Sequence, residues 1–216
     1  MIMQQIKAAL FDFDGVLADT EPLYDQFWDD AGIRYHTGIP HFAAVIKGTT
    51  MSNVMKKYFS DRPEEEQRKI QAESDEFESR MPFPPVPGSL EFVRMLKAHG
   101  VQVGLVTSSE NRKMKRAFQE MNLEGLFDTF VSENRITKGK PDPMCYLLAA
   151  EDLKRKPEEC IVFEDSFAGI SAATNAGMRV IGLSTTNSED ELKDKVYKVI
   201  PNLLHYTFED YLSWQE

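Results

Sequence analysis

The sequence predicts an α/β fold: a doubly wound parallel sheet with a helical segment inserted after its first strand. Three observations carry that prediction. From residue 89 onward, short apolar runs alternate with helical stretches. Several of those runs stop at acidic or hydroxyl residues, where an open sheet meets its ligand crevice. Between residues 22 and 84 there is no parallel-strand run, only helical spacing and a proline-rich return.

In chain order, Ile6–Phe11 is a continuous apolar run of the kind a strand buried on both faces requires. It stops at Asp12 and Asp14, and Gly15 can turn the chain sharply out of the strand. Glu21-Pro22 reads as a helix start, with Leu23–Ala31 amphipathic behind it. Met51–Phe59 carries helical spacing, and Pro63–Arg80 is a charged helix with a thin apolar stripe. Met81–Gly88 holds four prolines and reads as the linker returning from the insertion. The predicted organisation is therefore a core built from residues 1–21 and 85–216, with a helical unit at 22–84.

Beyond the linker come a helix over Ser89–Gly100, a strand over Val101–Val106 and a helix over Asn111–Met121. A short strand at Thr129–Val131 and a helix over Asp142–Leu153 follow. Cys160–Phe163 is a strand ending in Glu164-Asp165, and Ser166–Ala176 is a helix closed by Gly177. Strands at Arg179–Leu183 and Val196–Ile200 complete the sheet. The tail from Tyr206, with Phe208, Tyr211, Leu212 and Trp214, reads as a helix packed on the core.

The chain of 216 residues carries a net charge of −10 with no basic cluster, which argues against a nucleic-acid surface but leaves room for a small anionic substrate. Its two cysteines, Cys145 and Cys160, lie in core segments without metal-ligand spacing and read as reduced thiols. The N-terminal stretch lacks a signal-peptide core, and no run approaches a membrane span. The expectation is a soluble cytoplasmic protein.

Polar groups fall in four loops that the topology can bring to one sheet edge: Asp12/Asp14, Thr107/Ser108, Lys140 and Glu164/Asp165. Each has a plain structural alternative. Thr107 can cap the next helix, Lys140 can be a solvated loop charge, and Glu164-Asp165 can complement a helix N-terminus. As a set they describe something more specific. Clustered carboxylates suit Mg²⁺ held by oxygen ligands. An aspartate, with an ordinary pKa of about 4, is an anionic nucleophile at neutral pH. A hydroxyl and a lysine add donors for a transferring phosphoryl group. Together they describe phosphoryl transfer through an aspartyl-phosphate.

Four segments in order, DFDGVLADTEPL at 12–23, VTSS at 106–109, KGKPDP at 138–143 and VFEDSFAGISAATNAGM at 162–178, resemble the haloacid dehalogenase (HAD) superfamily of phosphatases and phosphomutases. The chain is similar along essentially its whole length to the branch holding β-phosphoglucomutase and the sugar-phosphate phosphatases, which carry a small helical cap. The resemblance implies a Rossmann-like core, Mg²⁺, and a small phosphorylated metabolite as substrate. It implies Asp12 as nucleophile and Asp14 as general acid, then base. It implies Mg²⁺ on Asp12, the Asp14 carbonyl and Asp165, with Glu164 near or in the metal shell. Thr107, Ser108 and Ser109 would hold phosphate oxygens, Lys140 would tie Asp12 to the phosphate, and Thr20 matches the hinge into the cap. Asn111, Tyr24, Lys47 and Gly48 are the further substrate-facing positions, Lys47 having an ordinary surface lysine as its alternative.

Asp14 points to phosphate esters or anhydrides, because dehalogenases and phosphonatases of the superfamily lack it. The mutase pattern is broken at three places. Met51 stands at the arginine of the cap motif, Glu110 at the lysine after the second motif's serine, and Tyr24 at a histidine in the first cap helix. A mutase must hold a second phosphate, which calls for cationic donors. The expectation is therefore a phosphatase acting on a sugar or polyol phosphate, with a sugar phosphomutase as the alternative. A receiver-type domain fits neither length nor motif order, and a non-catalytic phosphoryl-binding regulator has no lost catalytic position in its favour. A monomer suffices for the activity.

Overall fold

The computed structural model describes residues 7–47 and 49–214. Six strands, β1 (Ala8–Phe11), β2 (Gln102–Val106), β3 (Thr129–Val131), β4 (Cys160–Glu164), β5 (Arg179–Leu183) and β6 (Lys198–Ile200), form one sheet in the order β3-β2-β1-β4-β5-β6. Every pairing is parallel. The strand order reverses direction at β1, which puts its C-terminal end beside the switch point where open α/β sheets bind ligands. The predicted doubly wound sheet is the observed one.

Alternate residues of these strands face opposite sides, so each side of the sheet needs its own cover. On one side Phe11, Leu105, Phe163 and Leu183 pack under α5 (Ser89–Ala98), α6 (Asn111–Glu120) and the C-terminal α10 (Phe208–Ser213). Phe11 and Phe163 stack at 4.6 Å, and their Cα atoms are register partners across β1 and β4. On the other side Leu10, Val106, Val162 and Val180 meet α7 (Met144–Asp152), α8 (Phe167–Asn175) and α9 (Glu189–Leu192). Cys145 and Cys160 are buried free thiols in that layer, as expected. Tyr211 and Trp214 anchor the tail in the core, whereas Leu212 is exposed, on the outer face of so short a helix.

Between β1 and α5 the described residues contribute no strand. They form α1 (Glu21–Arg34), α2 (Phe42–Ile46), α3 (Met51–Val54), a π-helical turn over Met55–Phe59, and α4 (Glu64–Arg80). These helices have an apolar cluster of their own around Trp28, Phe42, Ile46, Phe59 and Ile70. Helix α2 is absent from the sequence reading, because five apolar residues carry no period that separates helix from strand. Its burial against α1 decides the matter. Helix α1 runs three residues beyond the expected Ala31. Helix α7 starts at Met144 rather than Asp142, whose side chain instead accepts from the Met144 N–H at 3.0 Å. Among the described residues no helix is long and apolar enough to cross a membrane.

Candidate active site

Pairing in register brings Phe11 of β1 level with Phe163 of β4 and Leu105 of β2. The residues just past those pairs are therefore side by side: Asp12 next to Glu164, with Thr107 one step further along β2. The Asp12 N–H donates to Phe163 carbonyl oxygen at 3.1 Å, carrying the ladder to the last residue before the loop. Gly15, with φ of 76°, turns that loop back, and a Cβ there would lie 2.0 Å from Asp165 Oδ2. A side chain at this position would displace an acid of the site.

Lys140 reaches the same point from the loop before α7. Its Nζ lies 2.9 Å from Asp12 Oδ1 and donates to Glu164 Oε1 at 2.6 Å, and the residue is 2 % exposed. A solvated loop charge is therefore not what Lys140 is. Glu164 has no exposed surface, and its second oxygen accepts from the N–H groups of Asp165 and Ser166, each at 3.0 Å. Tyr146 donates its hydroxyl to Glu164 Oε1 at 2.9 Å. A Cβ on Gly169 would sit 1.6 Å from that oxygen, so α8 can approach only with glycine there.

Burial pushes the Asp12 carboxyl up to about 7; Lys140 opposes this, while Glu164 and Asp14 add to it. Burial likewise raises Asp165 well above the carboxylate range, with Glu164 adding to it. Burial pulls the Lys140 ammonium down, but Asp12 and Glu164 outweigh it and hold the proton firmly. Asp165 accepts from Thr186 through Oδ2, while its buried Oδ1 has no partner among the described residues. Oxygens of Asp12, Glu164 and Asp165 come within 4.8 Å of one another. With Asp14 these make four carboxylates against the two ammonium groups of Lys140 and Lys113. The clustered carboxylate oxygens and the orphan Asp165 oxygen fit a divalent cation with oxygen ligands.

Asp14 faces the cavity from the next turn of the loop. Thr20 Oγ donates to its Oδ1 and Ser109 Oγ to its Oδ2, the latter at 2.9 Å. Lys113 Nζ is 2.6 Å from both oxygens. Thr107 is buried and its Oγ accepts the Ser109 N–H at 3.0 Å, shaping the turn after β2; it does not cap α6, whose N-cap is Glu110. Thr107, Ser108 and Ser109 all line the cavity.

The cavity lies between this sheet edge and the inserted helices. Tyr24 lines it and donates its hydroxyl to Glu78 at 2.8 Å. Met51 lines it too while packing on the insertion's apolar cluster. Lys47 is held at 3.0 Å from Glu21 and 2.7 Å from Asp25, and its side chain is 14 % exposed, so it is not an ordinary surface lysine. Asn111 is turned away, accepting from Ser132 Oγ at 2.6 Å. Gly48 falls outside the described residues.

Sequence reasoning missed Lys113, Glu21, Glu133, Tyr146 and Thr186. Lys113 had one signal, since it shares a helical stripe with Ala117 in the otherwise apolar buried face of α6. Glu133 lines the cavity with one buried oxygen that has no partner among the described residues; burial, then Glu110 and Glu78, push its carboxyl up to about 7.

Comparison with known proteins agrees with this geometry. Residues 9–183 match the haloacid dehalogenase-like hydrolase family. A phosphorylated carbohydrates phosphatase of Thermotoga maritima is 30 % identical over 193 residues, 82 % of this chain and 85 % of that one. Hexitol phosphatase A of Escherichia coli K12 is 29 % identical over 195 residues, 87 % of this chain and 88 % of its own. A β-phosphoglucomutase structure from Clostridium difficile superposes with a TM-score of 0.80 at 24 % identity, covering 98 % of this chain and 97 % of that one, a likeness of fold alone. The chain belongs to the haloacid dehalogenase-like hydrolases, and it is an enzyme whose named relatives are phosphatases.

Proposed function

We propose that this enzyme is a Mg²⁺-dependent phosphatase hydrolysing a sugar or polyol phosphate through an aspartyl-phosphate on Asp12. The observation that carries the reading is the buried Asp12–Lys140–Glu164 group at the end of β1, with Asp14 beside it and a cavity in front.

In the first half-reaction an Asp12 carboxylate oxygen attacks phosphorus. The bond to the leaving oxygen breaks, and that oxygen takes a proton from Asp14. In the second, water attacks the same phosphorus, the Asp12–phosphorus bond breaks, and the water's proton passes to Asp14. Lys140 keeps Asp12 oriented and offsets charge on the phosphoryl oxygens, while the Ser108 and Ser109 turn, shaped by Thr107, faces the other oxygens. Asp12, Asp165 and the Asp14 carbonyl would hold Mg²⁺, with Glu164 buttressing them. When bound, the cation supplies positive charge against the transferring phosphoryl group.

Residues 22–84 act in this reading as a cap over the cavity, with Thr20 at its hinge and Tyr24, Lys47 and Met51 facing the leaving group. The cavity lining also carries Glu21, Asp25, Glu78, Glu110 and Glu133, and Lys47, the cation on the cap side, is already claimed by Glu21 and Asp25. Such a surface repels a second phosphate, which favours hydrolysis over a mutase reaction with its bisphosphate stage. The catalytic groups and the cavity come from one chain, so a monomer suffices.

The test is phosphate release from a panel of phosphate esters with and without Mg²⁺, run beside isomerisation of β-glucose 1-phosphate. Metal-dependent release that falls by on the order of 10⁴-fold or more in Asp12→Asn is expected. Isomerisation outpacing release would overturn the phosphatase reading in favour of the mutase.

A further inference from the structure

Asp14 does not stand alone in the cavity wall. Its carboxylate is gripped from three elements: the Thr20 hydroxyl at the start of α1, the Ser109 hydroxyl after β2, and the Lys113 ammonium in the first turn of α6. The lysine makes the symmetrical contact, 2.6 Å to each oxygen. Lys113 is itself clamped. Its side chain has no exposed surface, its Nζ donates to Ser109 Oγ at 2.9 Å, and it lies 4.7 Å from the ring centroid of Tyr24 and 5.5 Å from that of Phe13. A buried ammonium has no water to turn toward, so its protein partners fix its place and it fixes theirs.

We infer that Lys113 is the positioning residue of the general acid: it sets the direction in which the Asp14 carboxyl faces the bound ester. The inference rests on the acid–base role proposed above for Asp14. Thr20 and Ser109 hold one oxygen each through hydroxyls that rotate freely. Of these three groups Lys113 engages both oxygens, and it removes the carboxylate's freedom to swing. Its second neighbour is the insertion, through the Tyr24 ring, so the same ammonium ties the acid of the core to the helices that cover the substrate. Lys113 acts through Asp14 alone.

Two esters separate this role from a structural one. In glucose 6-phosphate, or the leading alkyl ester of the panel, the departing alkoxide needs a proton. In p-nitrophenyl phosphate the leaving group departs as a stable anion. The comparison uses kcat/KM, which reads through phosphoenzyme formation, for the full chain with Mg²⁺, Lys113→Met, Asp14→Asn and the double variant. Lys113→Met is expected to lose about 100-fold on the alkyl ester, the scale of a misplaced reacting group. On p-nitrophenyl phosphate it should stay within about threefold of the parent, which also serves as the check on folding. Added to Asp14→Asn, it should cost nothing further on the alkyl ester. A fall of equal size on both esters, or losses that multiply in the double variant, would overturn the inference. If the esters separate in Asp14→Asn but not in Lys113→Met, only the role of Lys113 fails. If they do not separate in Asp14→Asn, the acid–base reading fails and takes this inference with it. Lys113→Gln, which keeps a polar head beside Ser109, carries the same comparison should the methionine variant not fold.

Discussion

Two lysine–aspartate pairs are built on aspartates two residues apart in the same loop, and they are built differently. Lys140 and Asp12 belong to the sheet edge: both are buried, Glu164 locks the lysine from behind, and Tyr146 and the first turn of α8 lock the glutamate. Lys113 and Asp14 form the outer pair. The Asp14 side chain is 18 % exposed toward the cavity, and Thr20 and Tyr24 at the start of the inserted helices complete its surroundings. The inner pair is held by core residues, with Asp12 at the cavity wall. The outer pair is held partly by Thr20 and Tyr24, where the chain enters the inserted helices. Electrostatics in the first is therefore set by the fold, and in the second by the seating of the insertion on the sheet.

The largest expected contrast is in stability. Lys140→Met leaves Asp12 and Glu164 buried without their cation, and breaking such a pair costs about 3–5 kcal/mol. Lys113→Met leaves Asp14 with two hydroxyl donors and access to water, for which about 1–3 kcal/mol is expected. Denaturant unfolding of both variants without metal measures the difference, and equal losses would erase the distinction between the pairs.

A second contrast follows from the cation. Mg²⁺ bound to the folded state stabilises it by mass action, about 2.7 kcal/mol at a hundredfold excess over its dissociation constant. Thermal unfolding should show that gain in the parent and in Lys113→Met, and show it abolished in Asp165→Asn. A gain lost equally in Lys113→Met would mean that the outer pair is part of the metal site.

The smallest effect concerns pH. In the folded chain Glu133 keeps its proton up to about 7, because of burial and then of Glu110 and Glu78. A carboxyl raised above its unfolded value adds stability that is full below about pH 4 and lost as pH rises through about 7. Glu133→Gln cannot ionise, so its stability should decline less than the parent's between those limits. Unfolding midpoints measured across that range check it, and parallel curves would show that Glu133 is not perturbed.

How much of this was legible depended on where each group's signal sits. The two carboxylates that hold Lys140 were readable because they stand at the ends of apolar strand runs: Asp12 closes Ala8–Phe11 and Glu164 closes Cys160–Phe163, and a parallel sheet must bring such ends together. Lys140 was readable only through its motif, since a lysine before proline is by itself an ordinary loop charge. Lys113 left almost no trace, because one charged residue on a helical stripe reads as a solvated face until the tertiary structure buries it. Helix α2 was hidden for a related reason, as its apolar run is too short to carry a period.

By itself, then, the amino-acid sequence determined the sheet, its parallel sense, the helical insertion and the carboxylates at the strand ends, because backbone periodicity and strand termination are local properties. Only the tertiary structure decided which cation meets which carboxylate. It paired Lys47 with Glu21 and Asp25, turned Asn111 toward Ser132, left one oxygen of Asp165 without a partner among the described residues, and put Lys113 on Asp14. These partnerships join residues up to 99 positions apart, and distance along the chain carries no record of them. They arise where packing removes water and leaves each charge to find what lies within reach.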